Sequence, residues 1–371
     1  MTTTGTDSGR IRLGTRGSRL ALTQSGQVAE ALMAAGAPSE GSDAQRDGLD
    51  IDLVTVRTDG DGDRTPLRQL GGVGVFAARL RHALLDGEVD LVVHSFKDLP
   101  TQPVEGLEVI CVPPREDPHD ALCARDGLTL AALPERARVG TGSPRRAAQL
   151  LATRPDLEVV DLRGNVPTRL ARVRGLEAVG VGTDEPVAPS RADATGDLDA
   201  VVLALSGLRR LGLEHCASEV LDLETMLPAP AQGALAVEAR AGECSTALAR
   251  AVAVLDDEPT RLAVTAERAL MARLGAGCAA PVGAWAHLSG GREPRVLALR
   301  AVVTSLDGGQ EVGCELSTEL PEVAGSPDTS GDTAAEAVRA AEALGGRAAE
   351  VLLEDGAAEI VDLHANKPRR D

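Results

Sequence analysis

The chain has 371 residues, enough for about two or three domains, and 43% of them are hydrophobic, which suffices to fill their cores. One Trp, two Phe and no Tyr argue against ligand recognition by aromatic stacking, and a net charge of -18 argues against nucleic acid or an anionic membrane as partner. Six cysteines without a C-x-x-C pair indicate neither a zinc site nor a dense disulfide scaffold.

Strands and helices alternate in the first part of the chain. Periodicity predicts strands at 10–15, 51–56 and 89–95, a helix capped by Ser18, and a helix at 75–85. The intervening segment 58–74 contains Asp-Gly-Asp-Gly-Asp and Gly-Gly-Val-Gly, a composition typical of a functional lid or a disordered segment.

A second unit begins after Pro113-Pro114 and Asp117-Pro118, which interrupt regular structure and predict a hinge. Its predicted elements are strands at 122–125, 139–142, 159–163 and 200–205 and helices beginning near Pro144 and Val166. Gly, Asp and Pro are frequent in 175–197, which predicts a surface insertion.

The last part of the chain changes character. A strand at 234–240 could rejoin the first sheet, and a helix follows at 260–274. After Pro281 the pattern predicts antiparallel strands with a hairpin turn at 306–309, then a helix at 333–344. The predicted fold class is therefore α/β with parallel sheets, followed by a small α+β domain.

Three predicted strands run into a Gly, Ser or Asn turn with an arginine where the next helix should begin, at 11–18, 139–146 and 159–165. A helix start carries about half a positive charge, so a cation there costs a few tenths of a kcal/mol. Repeated arginines therefore indicate a bound carboxylate or phosphate. The alternative is that each arginine bends away into water. Ligands of parallel sheets lie at the carboxyl ends of strands, where all three junctions fall.

Four polar residues directly follow the buried run at 89–93, within His94-Ser95-Phe96-Lys97-Asp98. Asp98 could hold a developing cation or act as general acid and base, and Lys97 could bind an anion or keep Asp98 ionised. The alternative is an ordinary surface ion pair. His94 is predicted to be a hydrogen-bonded structural histidine.

A single thiol, Cys278, lies among small residues in 275–281, where it would be accessible as a nucleophile or attachment point. The alternative is a small buried hydrophobe. The segment 140–145 also resembles the start of a dinucleotide fingerprint, with Asp161 at about the expected distance, but Arg145 occupies the place of the third glycine.

The order and spacing of these motifs resemble those of the porphobilinogen deaminase (hydroxymethylbilane synthase) family, from about Arg10 to Leu353. The matching motifs are Gly-Thr-Arg-Gly-Ser at 14–18, His-Ser-Phe-Lys-Asp at 94–98, 140–146, Leu-Arg-Gly-Asn at 162–165 with Thr168-Arg169, Pro-Ala-Gln-Gly at 230–233, and Gly277-Cys278 before Pro281.

The resemblance implies two periplasmic-binding-protein-like α/β domains around a cleft, the first completed by a late strand, plus an α+β domain that carries the cysteine loop. The implied boundaries are 10–113 with 234–251 for domain 1, 114–233 for domain 2 and 256–371 for domain 3.

The resemblance also implies a dipyrromethane cofactor, attached to Cys278 by a thioether and made by the enzyme from its own substrate. Four porphobilinogen units are then joined head to tail with loss of ammonia, and water releases hydroxymethylbilane. Asp98 would be the catalytic carboxylate, because a fixed carboxylate stabilises the positive charge that develops on the pyrrole as ammonia leaves.

Each pyrrole ring carries an acetate and a propionate, which the arginines would bind. The family positions imply cofactor binding by Cys278, Ser95, Lys97, Asp98, Thr141, Ser143, Arg145, Arg146, Arg163 and Gly164. They imply substrate binding by Arg16, Ser18, Arg163, Arg169 and Gln232. No metal is implied.

The chain departs from the family pattern in its lid. Val73 and Gln69 stand where many relatives have lysines, and we hypothesise that Arg68 takes over a lid contact to a substrate carboxylate. Gly142 replaces a frequent serine and so removes one hydroxyl donor.

Two rival functions have the same cleft or the same motif. A solute-binding or ligand-sensing protein would explain the arginines but not Cys278, the third domain or the absence of an apolar signal at 1–9. A nucleotide-dependent enzyme would bind ATP or NAD. The resemblance implies a cytoplasmic monomer that hands its product to uroporphyrinogen-III synthase, while haem, corrin and chlorophyll stay open as end products.

Overall fold

The computed structural model describes residues 10–37, 48–56, 75–176, 196–277, 279–289, 295–321 and 330–363. The predicted lid, Cys278 and most of the predicted insertion at 175–197 lie outside the described residues. The described residues form two compact units. Unit 1 contains those before Arg115 together with Leu235–Glu258, and unit 2 contains Arg115–Ala234 and those from Pro259 onward.

The described elements follow one another as strands with intervening helices. The strands are β1 (Arg10–Thr15), β2 (Asp50–Thr55), β3 (Leu91–Ser95), β4 (Leu107–Cys111), β5 (Asp120–Ala124), β6 (Arg138–Thr141), β7 (Glu158–Asp161), β8 (Ala200–Ala204), β9 (Glu219–Leu221), β10 (Leu235–Arg240), β11 (Val282–Ser289), β12 (Val296–Thr304) and β13 (Glu311–Glu319). The helices are α1 (Arg19–Ala35), α2 (Val75–Leu85), α3 (Pro144–Thr153), α4 (Val166–Leu170), α5 (Leu205–Arg210), α6 (Thr246–Leu255), α7 (Glu258–Leu274), α8 (Ser330–Glu354) and α9 (Ala357–Ile360).

Unit 1 is built on a five-stranded sheet of order β2-β1-β3-β10-β4. Strands β2, β1 and β3 are parallel, whereas the late strand β10 pairs antiparallel with both β3 and β4. The parallel strands are joined through helices because a parallel pair needs a crossover connection. One face of the sheet packs Leu13, Val93 and Val237 against α1 and α6. The other face packs Val92 against α2, so both faces of the central strands are covered.

Unit 2 contains a second five-stranded sheet with the same plan, in the order β7-β6-β8-β5-β9. Strands β7, β6 and β8 are parallel, and β5 pairs antiparallel with β8 and β9. In each five-stranded sheet, the antiparallel strand is thus the first strand that forms after the chain crosses from one unit to the other. The core of this sheet includes Val139, Leu150 and Val202, which are buried.

A three-stranded antiparallel sheet, β11-β12-β13, also belongs to unit 2. Its apolar face packs on α7 and α8 through Leu299, Leu270 and Leu344. The hairpin glycine Gly308, with φ of 73°, lies against the end of α3, where an added Cβ would come within 2.4 Å of the Ala152 backbone nitrogen. Glycine permits this close contact between the three-stranded sheet and α3.

The structure confirms the predicted fold class, with two mainly parallel sheets and an α+β portion. The hairpin at 306–309 is confirmed, and Ser18 caps α1 as predicted. The predicted helix at 333–344 is too short, because α8 continues to Glu354. Strands β4 and β9 and helices α5 and α6 were not predicted. The three-domain boundaries stay a prediction.

Candidate functional site

The first arginine junction joins β1 to α1 in unit 1. Ser18 caps the helix, its Oγ accepting a hydrogen bond of 3.3 Å from the Ala21 backbone nitrogen. Arg16 and Ser18 are half-buried. Because this cap fixes the turn, the Arg16 backbone is held at the carboxyl end of β1.

The predicted catalytic residues follow β3 in a short 3-10 turn, Phe96–Asp98. Phe96 and Leu99 are buried and anchor the turn, and the Leu99 backbone nitrogen donates to the Phe96 carbonyl over 3.3 Å. Asp98 is exposed, whereas Ser95 and Lys97 are half-buried. Since β1 and β3 are parallel neighbours, this turn and the Arg16 junction lie at the same edge of the sheet.

Beneath that turn lies a buried cluster of one acid and two bases. Glu238 on β10 accepts hydrogen bonds of 2.8 to 3.1 Å from the Arg81 guanidinium, and its Oε2 lies 3.2 Å from His94 Nε2. All three residues are buried. Burial raises the pKa of Glu238, but the contacts with His94 and Arg81 outweigh it and hold the pKa below its usual value. The prediction that His94 is a hydrogen-bonded structural histidine is confirmed.

The second and third arginine junctions lie side by side in unit 2. They follow the parallel strands β6 and β7, in which Thr141 pairs with Asp161, and the Leu162 nitrogen donates to the Thr141 carbonyl over 3.2 Å. At Gly142 an added Cβ would lie 2.4 Å from the Leu162 carbonyl oxygen, so the glycine allows the two turns to approach. The structure therefore brings the Thr141–Ser143 turn and the Leu162–Gly164 turn together.

Helix α3 begins with a Ser143 cap, and its first turn carries Arg145 and Arg146 inward. Both arginines are buried and bond to Asp120, the first residue of β5, with shortest distances of 2.7 Å each. The alternative that these two side chains bend into water is wrong. An anion at this junction is present in the fold itself, as the Asp120 carboxylate.

The third junction is more open. Asn165 caps the short helix α4 by accepting a 2.9 Å hydrogen bond from the Thr168 nitrogen. Gly164 has φ of 110°, a backbone conformation suited to glycine, and its carbonyl accepts a 2.7 Å hydrogen bond from Arg169 Nε. The Nη2 atom of Arg163 is buried and has no hydrogen-bond partner in the described part of the chain. A bound anion would satisfy it.

Gln232, predicted to bind substrate, is fully buried. Its Nε2 donates to the Pro118 carbonyl over 2.7 Å and to Asp120 Oδ1 over 2.8 Å, and its Oε1 accepts from Arg146 over 3.4 Å. Substrate binding by Gln232 stays a prediction, and the contacts just described lie within unit 2.

Four buried acids of the described residues were not predicted from the sequence: Asp120, Asp199, Glu238 and Glu267. Both carboxylate oxygens of Glu267 on α7 accept hydrogen bonds from the Arg115 guanidinium, at 2.7 and 3.1 Å. Oε1 also accepts a 2.7 Å hydrogen bond from the backbone nitrogen of Ala286. The signal that could have found them is an acidic residue on an otherwise apolar face, since a buried acid requires a partner.

The predicted attachment residue Cys278 lies outside the described residues. Its surroundings along the chain are described: α7 ends at Leu274, Gly275 has φ of 63°, and β11 starts at Val282. The cysteine loop therefore connects two elements of unit 2.

The described residues contain neither a candidate membrane span nor a candidate metal site. None of their helices combines the length and apolarity that a membrane span requires. Within the same residues, no group of three or more His, Cys, Asp and Glu side chains is arranged to hold a metal ion.

Comparison with known proteins identifies the relatives of this chain. Residues 11–247 match the family described as "Porphobilinogen deaminase, dipyromethane cofactor binding domain", and residues 261–354 match "Porphobilinogen deaminase, C-terminal domain". A porphobilinogen deaminase of Cutibacterium acnes is 51% identical over 97% of this chain and 99% of its own. One from Micrococcus luteus is 50% identical over 94% and 93%, and one from Thermobifida fusca is 48% identical over 94% and 95%.

Proposed function

The chain belongs to the porphobilinogen deaminase family, and from this premise we propose how its residues share the work of the reaction. The enzyme is a transferase of tetrapyrrole biosynthesis that condenses four porphobilinogen molecules head to tail, with loss of ammonia, and forms hydroxymethylbilane. Its cofactor is dipyrromethane. We assign the catalytic carboxylate to a turn of unit 1, and the arginines that hold the cofactor to unit 2.

The residues of unit 2 fit a ligand rich in carboxylates. The Nη2 atom of Arg163 and the Nε atom of Arg145 are buried without a hydrogen-bond partner among the described residues. Buried polar atoms are normally paired, so these two favour an anionic guest. This surplus of buried donors is the observation that carries the proposal.

Bound dipyrromethane supplies the pyrrole to which the first substrate molecule is joined. We assign its covalent attachment to Cys278 through a thioether, and its carboxylates to the turns of β6 and β7 and to the turn after β3. The assigned residues are Ser95, Lys97, Asp98, Thr141, Ser143, Arg145, Arg146, Arg163 and Gly164. Guanidinium groups suit this task because they bind carboxylates in bidentate geometry.

Asp98 is assigned as the catalytic carboxylate. It is exposed at the tip of a turn whose buried neighbours, Phe96 and Leu99, hold the backbone in place. An ionised carboxylate fixed in this way stabilises positive charge that develops on the substrate pyrrole as ammonia leaves. Lys97, beside it in sequence, is assigned to bind a carboxylate of the cofactor.

The incoming substrate is assigned to a second set of residues. Its acetate and propionate groups match the charge of the arginines at the first and third junctions. The assigned residues are Arg16, Ser18, Arg163, Arg169 and Gln232. Arg68, which lies outside the described residues, is the hypothesised lid contact; an Arg68→Ala variant with unchanged KM and kcat would remove it from this role.

The most direct test is the intact mass of the purified chain beside that of Cys278→Ser. We expect the parent chain to exceed its sequence mass by a dipyrromethane and the Cys278→Ser chain to match its sequence mass. A Cys244→Ser variant is the matched control, since Cys244 is an exposed free thiol elsewhere in the chain. An unmodified parent chain would contradict the assignment of Cys278.

Three further parts of the proposal concern the whole protein. We propose three domains, 10–113 with 234–251, 114–233 and 256–371. We propose a monomer in the cytoplasm that passes its product to uroporphyrinogen-III synthase. The buried thiols of Cys123 and Cys216, which form no disulfide, support a reducing compartment.

A further inference from the structure

Asp120 occupies the centre of the buried cluster in unit 2. Its side chain is fully buried, and its two oxygens accept four hydrogen bonds. Oδ2 accepts from Arg145 Nη2 at 2.7 Å, while Oδ1 accepts from Arg146 at 2.7 and 3.0 Å and from Gln232 at 2.8 Å. Both guanidinium groups are therefore oriented by one carboxylate.

We propose that Asp120 is the positioning residue of the cofactor's carboxylate site: it orients Arg145 and Arg146 and leaves the pair with one positive charge for a ligand carboxylate. This inference rests on the proposed role of the two arginines in holding dipyrromethane. Asp120 acts through the arginines, because its oxygens are buried and occupied by their N–H groups.

The charge of the cluster is unbalanced. Two arginines that stay protonated face one carboxylate, and no second acid contacts either arginine in the described part of unit 2. Burial lowers the pKa of Arg145, Asp120 raises it and the neighbouring Arg146 lowers it again, with a net decrease. A surplus buried cation is costly unless an anion joins it.

The unused donor of Arg145 points to where that anion binds. Arg145 is 3% exposed, its Nη1 donates to the Leu227 carbonyl over 2.6 Å, and its Nε has no partner among the described residues. Arg146 uses its Nη1 on the Val202 carbonyl at 3.1 Å. A carboxylate that accepts from Arg145 Nε would satisfy the donor and neutralise the surplus charge at once.

Asp120 also prevents the two arginines from separating. Adjacent guanidinium groups repel each other. The Asp120 carboxylate between them attracts both, and these two attractive contacts outweigh the repulsion. Glu267 offers a contrast within unit 2, because it faces the single arginine Arg115 and the charges of that pair cancel. The Asp120 cluster is thus built to receive a further acid, and the Glu267 cluster is not.

The test compares Asp120→Asn with Asp199→Asn. Asp199 is a matched control, since it is a buried acid of the same unit, accepts a 2.9 Å hydrogen bond from Arg125 and lies outside the proposed site. Both variants lose one buried carboxylate and both are expected to lower the melting temperature followed by Trp285 fluorescence. We expect the fraction of chains that carry the dipyrromethane mass to fall about tenfold in Asp120→Asn, as the loss of oriented charged hydrogen bonds implies, and to stay unchanged in Asp199→Asn.

The proposal is overturned if Asp120→Asn carries the cofactor mass as fully as the parent while its melting temperature falls like that of Asp199→Asn. Should Asp120→Asn yield no folded chain, Asp120→Glu replaces it, because it keeps the charge but displaces both oxygens by one methylene. We expect Asp120→Glu to lower the loaded fraction, and a folded Asp120→Glu chain that loads like the parent would overturn the proposal equally.

Arg145→Gln separates this inference from the proposed function on which it rests. If Arg145→Gln loads like the parent, the role of Arg145 in holding the cofactor is wrong and the inference fails with it. If Arg145→Gln loses the cofactor mass while folded Asp120→Asn retains it, the role of Arg145 stands and the inference about Asp120 alone is wrong.

Discussion

The two five-stranded sheets have the same arrangement of strands, but their buried acids contact different basic residues. In each sheet one antiparallel strand lies next to the parallel set, β10 in unit 1 and β5 in unit 2. Glu238 on β10 contacts Arg81 and His94, and Asp120 on β5 contacts Arg145 and Arg146. The plan of one acid and two bases is the same, so the type of base makes the difference.

A histidine can be neutral at physiological pH, whereas an arginine cannot. The Glu238 cluster contains one arginine for its one carboxylate, whereas the Asp120 cluster contains two arginines for one carboxylate and so keeps a positive charge. A buried cluster with balanced charge needs no further counter-ion. A buried cluster with a surplus positive charge is costly, and an anionic ligand would lower that cost. The number of arginines on each buried carboxylate thus distinguishes Glu238, which we interpret as structural, from Asp120, which we assign to the site.

The largest expected effect is on turnover, and it concerns Asp98, an exposed acid in the turn after β3 of unit 1. Asp98→Ala should lower kcat about a thousandfold, as expected for the loss of a group that stabilises developing charge. Because Asp98 is exposed, the free energy of unfolding should change by less than about 0.5 kcal/mol. Steady-state kinetics and chemical denaturation measure the two quantities.

The control for that variant is Glu105→Ala, which removes another exposed acid of unit 1. Its kcat should equal that of the parent. Normal turnover in Asp98→Ala would remove this residue from its catalytic role, and equal losses in both variants would show a general effect of surface charge.

The next effect concerns the balanced cluster. Glu238→Gln leaves the buried Arg81 without its counter-ion and should lower the free energy of unfolding by about 3 kcal/mol. His94→Asn is the matched control and should cost less, because the contact between Arg81 and Glu238 persists. The only tryptophan, Trp285, lies in unit 2, so amide hydrogen exchange of β3 and β10 is the suitable measurement.

Glu238→Gln also tests the distinction between the clusters. The fraction of chains that carry the cofactor mass should not change, because Glu238 contacts neither Arg145 nor Arg146 and has one arginine, Arg81, as its counter-ion. A loss of cofactor as large as in Asp120→Asn, at equal stability, would break the comparison.

Much of the fold was predictable, because local pattern decides it. The strand at 10–15 and the helix at 75–85 agree with β1 and α2 to the residue, because the first segment alternates in hydrophobicity and the second has helical periodicity. Short elements such as β9, Glu219–Leu221, have too few residues for a pattern and were missed. The late return of β10 to the first sheet depends on long-range pairing, which periodicity cannot reveal.

The candidate site was predictable to a smaller extent. The motifs indicated Arg145 and Arg146, but their partner Asp120 lies more than twenty residues earlier in the chain, at the start of a strand, where nothing local marks it. The bound anion expected at this helix start stays a prediction. The carboxylate that Arg145 and Arg146 contact is the side chain of Asp120, which local sequence could not reveal because that contact forms only when β5 packs beside β8.

A smaller effect concerns pH. Burial raises the pKa of Asp120, but the charges of Arg145 and Arg146 and the hydrogen bonds lower it well below the ordinary value of 3.8. A depressed pKa contributes stability above the ordinary value, and this contribution is lost as the pH falls below it. Between pH 4 and pH 3 the free energy of unfolding should fall less steeply in Asp120→Asn than in the parent, by up to about 1 kcal/mol.

Trp285 fluorescence in chemical denaturation at both pH values provides this measurement, because Trp285 and Asp120 belong to the same unit. Asp199→Asn is again the control for a generally weakened unit 2. Identical slopes in the parent and in Asp120→Asn would show that the folded protein does not hold the Asp120 carboxylate in its ionised form.

The smallest effect concerns an acid–base pair that is near the cysteine loop in sequence but exposed. Arg273 on α7 contacts Glu350 at 3.0 Å, with side chains that are 58% and 52% exposed. Such a pair contributes at most about 1 kcal/mol, so Arg273→Ala should change the free energy of unfolding by less than that and leave the cofactor mass unchanged. If Arg273→Ala instead lost the cofactor, proximity to Cys278 along the chain, rather than buried surplus charge, would decide which bases hold it.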